Sequence, residues 1–209
     1  MTQIQWVRYD TIAALADSFL EQYHPSGIIP VPIEPIVESR LGLEIIPMPR
    51  LQRDFGVEGF TGNLGTAIYV DEGVFSNVEV RYRFTLAHEV GHLQLHRPYL
   101  EQFQIRSQDD WLQYQAGVAP EDFQRLEWQA CCFGGLVLVP DRHLSPRFQQ
   151  QAKNISPLCV QAVAKGLPQD QVTEYALSVV AEEICSDFAV SAEVVLRRLK
   201  LGGYGRLLL

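Results

Sequence analysis

The sequence predicts an α+β protein that is predominantly helical, with a small antiparallel sheet beside one long helix and a helical segment at the C-terminal end. Apolar residues recur at helical spacing over most of the chain. One glycine-rich run of β-formers, at 59–73, reads as a hairpin. Prolines at 98, 120 and 140 punctuate the helical stretches.

In chain order, Tyr9 to Tyr23 carries Ile12, Leu15, Phe19 and Tyr23 on one helical face. Pro25 to Pro35 is a proline-rich joint. A short helix is expected over Ile33–Leu41, stopped by Gly42. Leu43–Ile46 reads as a strand bounded by Pro47 and Pro49. The hairpin follows as Gly59–Leu64 and Thr66–Asp71, turning near Asn63–Gly65. Ser76 or Asn77 is placed to cap a long helix that runs to about His96, with Pro98 ending it. Residues 98–119 read as a connection with a short helix around Asp109–Gln115. Pro120 opens another helix, with Glu121 and Asp122 in its first turn, and Pro140 closes it. The rest reads as three or four helices. A core over 1–140 and a helical segment over 141–209 is the expected organisation.

The bulk numbers exclude several classes. The 209 residues are 47% hydrophobic and 20% charged, as in ordinary globular proteins. A net charge of −8 argues against broad nucleic-acid binding, which needs clustered Lys and Arg. Apolar runs such as Leu136–Pro140 are too short to span a bilayer, and the N-terminus lacks the pattern of a secretory signal. The four cysteines, at 131, 132, 159 and 185, form no CxxC pair. They are expected as buried free thiols in a reducing compartment, the cytoplasm.

Chemistry concentrates in His88-Glu89-Val90-Gly91-His92. Residues four apart share a helix face, so both imidazoles can reach one tetrahedral ion. Glu89 stands about 100° further round, beside the ion and not on it. There it can take a proton from zinc-bound water as that water attacks a peptide bond, then pass it to the leaving amine. The pattern HExxHxxGxxH is absent, which excludes the metzincin arrangement. His96 lies a further turn along and reads as a packed or supporting histidine. The better third ligand is Glu127, which shares a helix face with the small or apolar Ala130, Gly134 and Val137. A carboxylate on such a face needs a partner, and small neighbours let its helix approach the histidines.

Tyr69, Tyr82, Arg83, His96 and Tyr114 are all open as partners for a tetrahedral oxyanion. Thr66–Asp71 is the candidate edge strand for pairing with an extended peptide.

These residues resemble a known family. The run from Arg83 to His96, RFTLAHEVGHLQLH, is similar to the active-site helix of the ImmA/IrrE metallo-endopeptidases. The run from Glu127 to Pro140, EWQACCFGGLVLVP, resembles that family's second motif. The resemblance implies a zincin-like metallopeptidase core, with His88, His92 and Glu127 binding Zn2+ and Glu89 as catalytic base. It implies a bacterial, cytoplasmic enzyme that cleaves a helix-turn-helix repressor and so relieves repression, in a stress response or in mobile-element regulation. The family usually has Asn where Cys131 stands, and alanine-rich small residues where Gly134 and Gly135 stand. A His2Glu donor set suits zinc and manganese alike.

The alternative is a non-proteolytic regulatory module of the same fold that sequesters a DNA-binding protein. The intact Glu89 favours the enzyme, because a pure metal scaffold needs no carboxylate there. The stretch Phe188–Lys200 also has the form of a helix-turn-helix with a Ser-capped second helix, and residues 191–209 carry Arg197, Arg198, Lys200 and Arg206 against Glu193. Glu174, Glu182, Glu183 and Asp187 on the preceding helix would repel phosphates, which favours packing or a protein partner over DNA.

Overall fold

The computed structural model describes residues 4–62, 65–100 and 108–209. The chain divides into two compact units, Met1–Val137 and Leu138–Leu209.

The first unit opens with α1, Tyr9–Tyr23, which buries Ile12, Ala16, Phe19 and Leu20. The helix expected next is a single turn, α2 (Ile33–Pro35), that continues as a π turn over Ile36–Arg40 and stops before Gly42 at φ +66°. Strand β1 spans Glu44–Met48, α3 Leu51–Phe55, β2 Gly59–Gly62 and β3 Ala67–Asp71. Two further helices follow, α4 (Glu72–Asn77) and α5 (Glu79–Leu100). The unit ends with α6 (Gln108–Gly117) and α7 (Pro120–Leu138).

The sheet order is β1-β3-β2. The hairpin β2–β3 is antiparallel as expected, but β1 adds to β3 in parallel, so the sheet is mixed. Thr66–Asp71 is therefore not an edge. Its described strand is paired on both sides, and its residues are nearly all buried, as befits a central strand. Pro47 does not bound β1 but lies inside it, opposite Val70. Because β1 is an edge strand, the missing N–H costs the sheet nothing.

Two helix boundaries also differ from expectation. The long helix that Ser76 or Asn77 is expected to cap begins at Glu79, and the separate short helix before it, α4, is capped by Asp71. Its Oδ1 accepts from the N–H groups of Gly73 and Val74 at 2.9 and 3.2 Å, and its Oδ2 accepts from Gln52 N–H at 2.9 Å. One buried carboxylate thus ties α3, β3 and α4 together. The backbone breaks at Val78 before α5 begins. Pro98 does not end α5 but lies inside its described span, where the ring removes one bond from the helical ladder.

Helix α5 lies against β2 and β3 and buries Leu86, Ala87, Val90 and Leu93. The core beside it gathers Ile4, Leu51, Phe60, Tyr99, Val118 and Leu126, with Phe60 stacked on Tyr69 at 4.7 Å.

The second unit holds α8 (Asp141–Ala164), α9 (Gln169–Phe188), α10 (Ala192–Leu201) and a 3-10 turn, Tyr204–Leu207. Its core includes Leu144, Phe148, Val180, Phe188, Val195 and Leu199. Ser191 occupies the cap position of α10, but its side chain makes no capping bond. Of the four basic residues counted near the C-terminus, Arg198 is buried, donates to Val139 O at 3.2 Å and faces Asp141 at 3.6 Å. Lys200 is paired with Glu174. The cysteines are buried at 132 and 159 and half-buried at 131 and 185, and none forms a disulfide. No helix among the described residues is long and apolar enough to cross a membrane.

Candidate metal centre

The site is built where α5 and α7 touch. A Cβ on Gly91 would meet Ala130 O at 3.0 Å and its Cα at 3.1 Å. A Cβ on Gly134 would meet the His88 backbone N at 3.1 Å. Only hydrogen at these two positions allows the helices so close, and that closeness brings Glu127 to the histidines. Gly91→Val should therefore lower stability by about 1–3 kcal/mol, the cost of overpacking, because the atoms in the way are mostly backbone. Thermal denaturation of the metal-free chain reads this directly, and an unshifted melting temperature would contradict the close approach.

The structure brings together every ligand expected from the sequence. His88 Nε2 lies 3.3 Å from Glu127 Oε2, His92 Nε2 lies 3.3 Å from Glu127 Oε1, and the two Nε2 atoms are 3.0 Å apart. Among the described residues, His88, His92 and Glu127 are the one group placed to hold a metal ion, their donor atoms all within 4.8 Å of one another. Tetrahedral bonds of about 2.0–2.1 Å put adjacent donors at about this spacing. Three lone-pair donors converging this closely call for a proton or a cation between them, so the residues fit a divalent ion.

The electrostatics agree. Burial opposes charge on His88, but hydrogen bonds to Cys131 and Glu127, with the Glu89 carboxylate nearby, hold its imidazole well above the ordinary value. Burial likewise opposes charge on Glu127, and the adjoining His88 and His92 rings overcome this and hold the carboxyl well below the usual range. The nearby Arg125 pairs with Asp122 at 3.0 Å.

Glu89 is buried and lines the same cleft. Thr61 on β2 donates from Oγ1 to Glu89 Oε2 at 2.9 Å. Sequence reasoning missed Thr61; nothing distinguishes it there from any other β-former in the hairpin. Cys131, one of the departures from the resembled family's pattern, places Sγ 3.5 Å from His88 Nδ1 and so supplies a weak outer partner. His96 is no ligand. It sits behind His92, its ring nitrogens 3.1 Å from His92 Nδ1 and 3.0 Å from Gln129 Oε1. Burial and the neighbouring His92 push its pKa down to about 4.

The cleft encloses about 260 Å³, with Val57, Phe84, Leu100 and Phe123 among its apolar lining. Of the oxyanion candidates, none of Tyr69, Tyr82, Arg83 and His96 lines it. Tyr69 stacks in the core, Tyr82 is buried, and Arg83 donates to Val31 O at 2.8 Å. The side chain of Tyr114 lies outside the described residues, as do Asn63 and Leu64 at the hairpin turn.

Compared with known proteins, residues 76–200 match the model of a peptidase family described as the IrrE N-terminal-like domain. No curated protein and no solved structure gives a significant match.

Proposed function

Because the chain belongs to the ImmA/IrrE family of metallopeptidases, we propose that it is a zinc-dependent endopeptidase in which Glu89 is the general base and His88, His92 and Glu127 hold the ion. The convergence of those three donors beside Glu89 carries the reading. When bound, zinc acts as a Lewis acid and makes a water nucleophilic at neutral pH. Thr61 occupies Glu89 Oε2, which leaves Oε1 to take the proton from that water and return it to the leaving amine.

Strand β2, which among the described residues is an outer strand of the sheet, supports an extended peptide as substrate. Glu58 O accepts from Asp71 N–H at 2.8 Å, so the alternation of antiparallel pairing turns the main-chain groups of Phe60 towards β3 and those of Gly59 and Thr61 away from it. Gly59 and Thr61 both line the cleft, where they can pair with a peptide main chain. This role passes to β2 from Thr66–Asp71. The apolar lining suits an apolar side chain beside the scissile bond. A cytoplasmic, helix-turn-helix repressor is the substrate class that family membership favours.

Cleavage of an unstructured polypeptide pool, read by mass spectrometry, tests the proposal. Zinc-loaded chain should cut, a chelator should stop it, and added zinc should restore it. A fully zinc-loaded chain that cuts neither this pool nor a helix-turn-helix repressor would move the reading to the non-proteolytic module.

A further inference from the structure

Behind the metal-facing side of His92 runs a chain of polar groups with no role in the proposal above. Gln129 is fully buried, and its Nε2 donates to the main-chain carbonyl of Gln5 at 3.0 Å. The N-terminal segment that presents this carbonyl is fastened to α7 by Trp6, stacked on Trp128 with ring centroids 4.6 Å apart. Gln129 Oε1 lies 3.0 Å from His96 Nε2, and His96 Nδ1 lies 3.1 Å from His92 Nδ1.

With both imidazoles neutral, these contacts admit one arrangement of protons. A carbonyl only accepts, so Gln5 fixes which end of the Gln129 amide faces it. The amide oxygen therefore faces His96, and since it too only accepts, His96 Nε2 carries the hydrogen. Neutral His96 then has its lone pair on Nδ1. The contact between the two Nδ1 atoms needs one hydrogen, which must sit on His92 Nδ1. His92 Nε2 is left bare, 3.0 Å from His88 Nε2 and 3.3 Å from Glu127. Metal-binding histidines are oriented by a bond from the other ring nitrogen, commonly to a carboxylate, a backbone carbonyl or a water. Here a second histidine takes that place.

Resting on the metal-site reading, we infer that His96 and Gln129 are positioning residues: anchored by the Gln5 carbonyl, they fix the tautomer of His92 and present its Nε2 to the ion. Among the described residues His88 has only the weak Cys131 thiol behind it, so the two histidine ligands are supported unequally. The affinity of the site is therefore set more from the His92 side.

Zinc affinity of the full chain, measured by competition with a chromophoric chelator, tests this. His96→Leu should weaken zinc binding about 10–100-fold, as loss of an outer partner does. His96→Gln should stay within about threefold of wild type, because its amide can accept from His92 and donate to Gln129. Gln129→Leu should weaken binding in the same direction, and the His96→Leu, Gln129→Leu pair should be no worse than His96→Leu alone, since the links act in series. In zinc-loaded wild type, nitrogen NMR of the imidazoles should place hydrogens on His92 Nδ1 and His96 Nε2, and this stands even if a leucine variant fails to fold. Wild-type affinity in His96→Leu, equal losses in the Leu and Gln variants, or a hydrogen on His96 Nδ1 would each overturn the relay while leaving the metal site intact. A wild-type chain that binds no zinc would overturn both, and would do so before any substitution is made.

Discussion

Glu89→Gln should keep about one zinc per chain and lose peptide cleavage by about 10²–10⁴-fold, the range a positioned general base supplies. The substitution preserves shape. Glu89 is 4% exposed and is gripped by Thr61 Oγ1 at 2.9 Å, and a glutamine can offer its carbonyl oxygen to the same hydroxyl. Its NH2 group would then face the cleft, where it donates and accepts no proton. The ligand atoms belong to other residues, so metal content should not move. Thr61→Val is the companion variant: it frees the carboxylate without removing it, so its loss of turnover should be smaller than that of Glu89→Gln. Undiminished turnover in Glu89→Gln would remove this residue from the chemistry. Lost cleavage with intact biological activity would instead favour a module that works by holding its partner.

The centre was legible in the sequence to the extent that helical spacing carries it. His88 and His92 are one turn apart, and Gly91, Ala130 and Gly134 mark the faces of two helices that can approach closely. What those patterns omit is pairing across long stretches of chain. Nothing local says that β1 returns to lie parallel to β3, so the central strand reads as an edge, and β2, an outer strand among the described residues, does not stand out. The Asp71 cap was hidden for a related reason: its carboxylate also bonds Gln52, 19 residues earlier, and that tie fixes where α4 starts. Pro47 looked like a boundary because its tolerance depends on being at an edge, which only the assembled sheet decides. Gln129 reads as a polar residue between Trp128 and Ala130, and its function comes from a carbonyl 124 residues away.

Glu127→Ala should abolish stoichiometric zinc binding, with a loss larger than the about 10–100-fold typical of an outer partner. The carboxylate reaches both histidines with different oxygens, and in the metal-free chain its charge is matched by the raised proton affinity of His88. Truncation leaves two imidazoles facing each other with no anion to offset a divalent charge. It also removes the group that holds a proton on His88, so the histidine becomes easier to deprotonate in the variant. The sign follows for pH: in wild type the ion must displace the proton shared by His88 and Glu127, so apparent zinc affinity should fall as pH is lowered. Melting temperature gives an independent readout. Zinc at about 100 times its dissociation constant should stabilise wild type by about 2.7 kcal/mol and leave Glu127→Ala unmoved. If the variant keeps one zinc per chain and the same zinc-dependent shift, the third ligand lies elsewhere, and the close approach of α5 and α7 serves packing and not the metal.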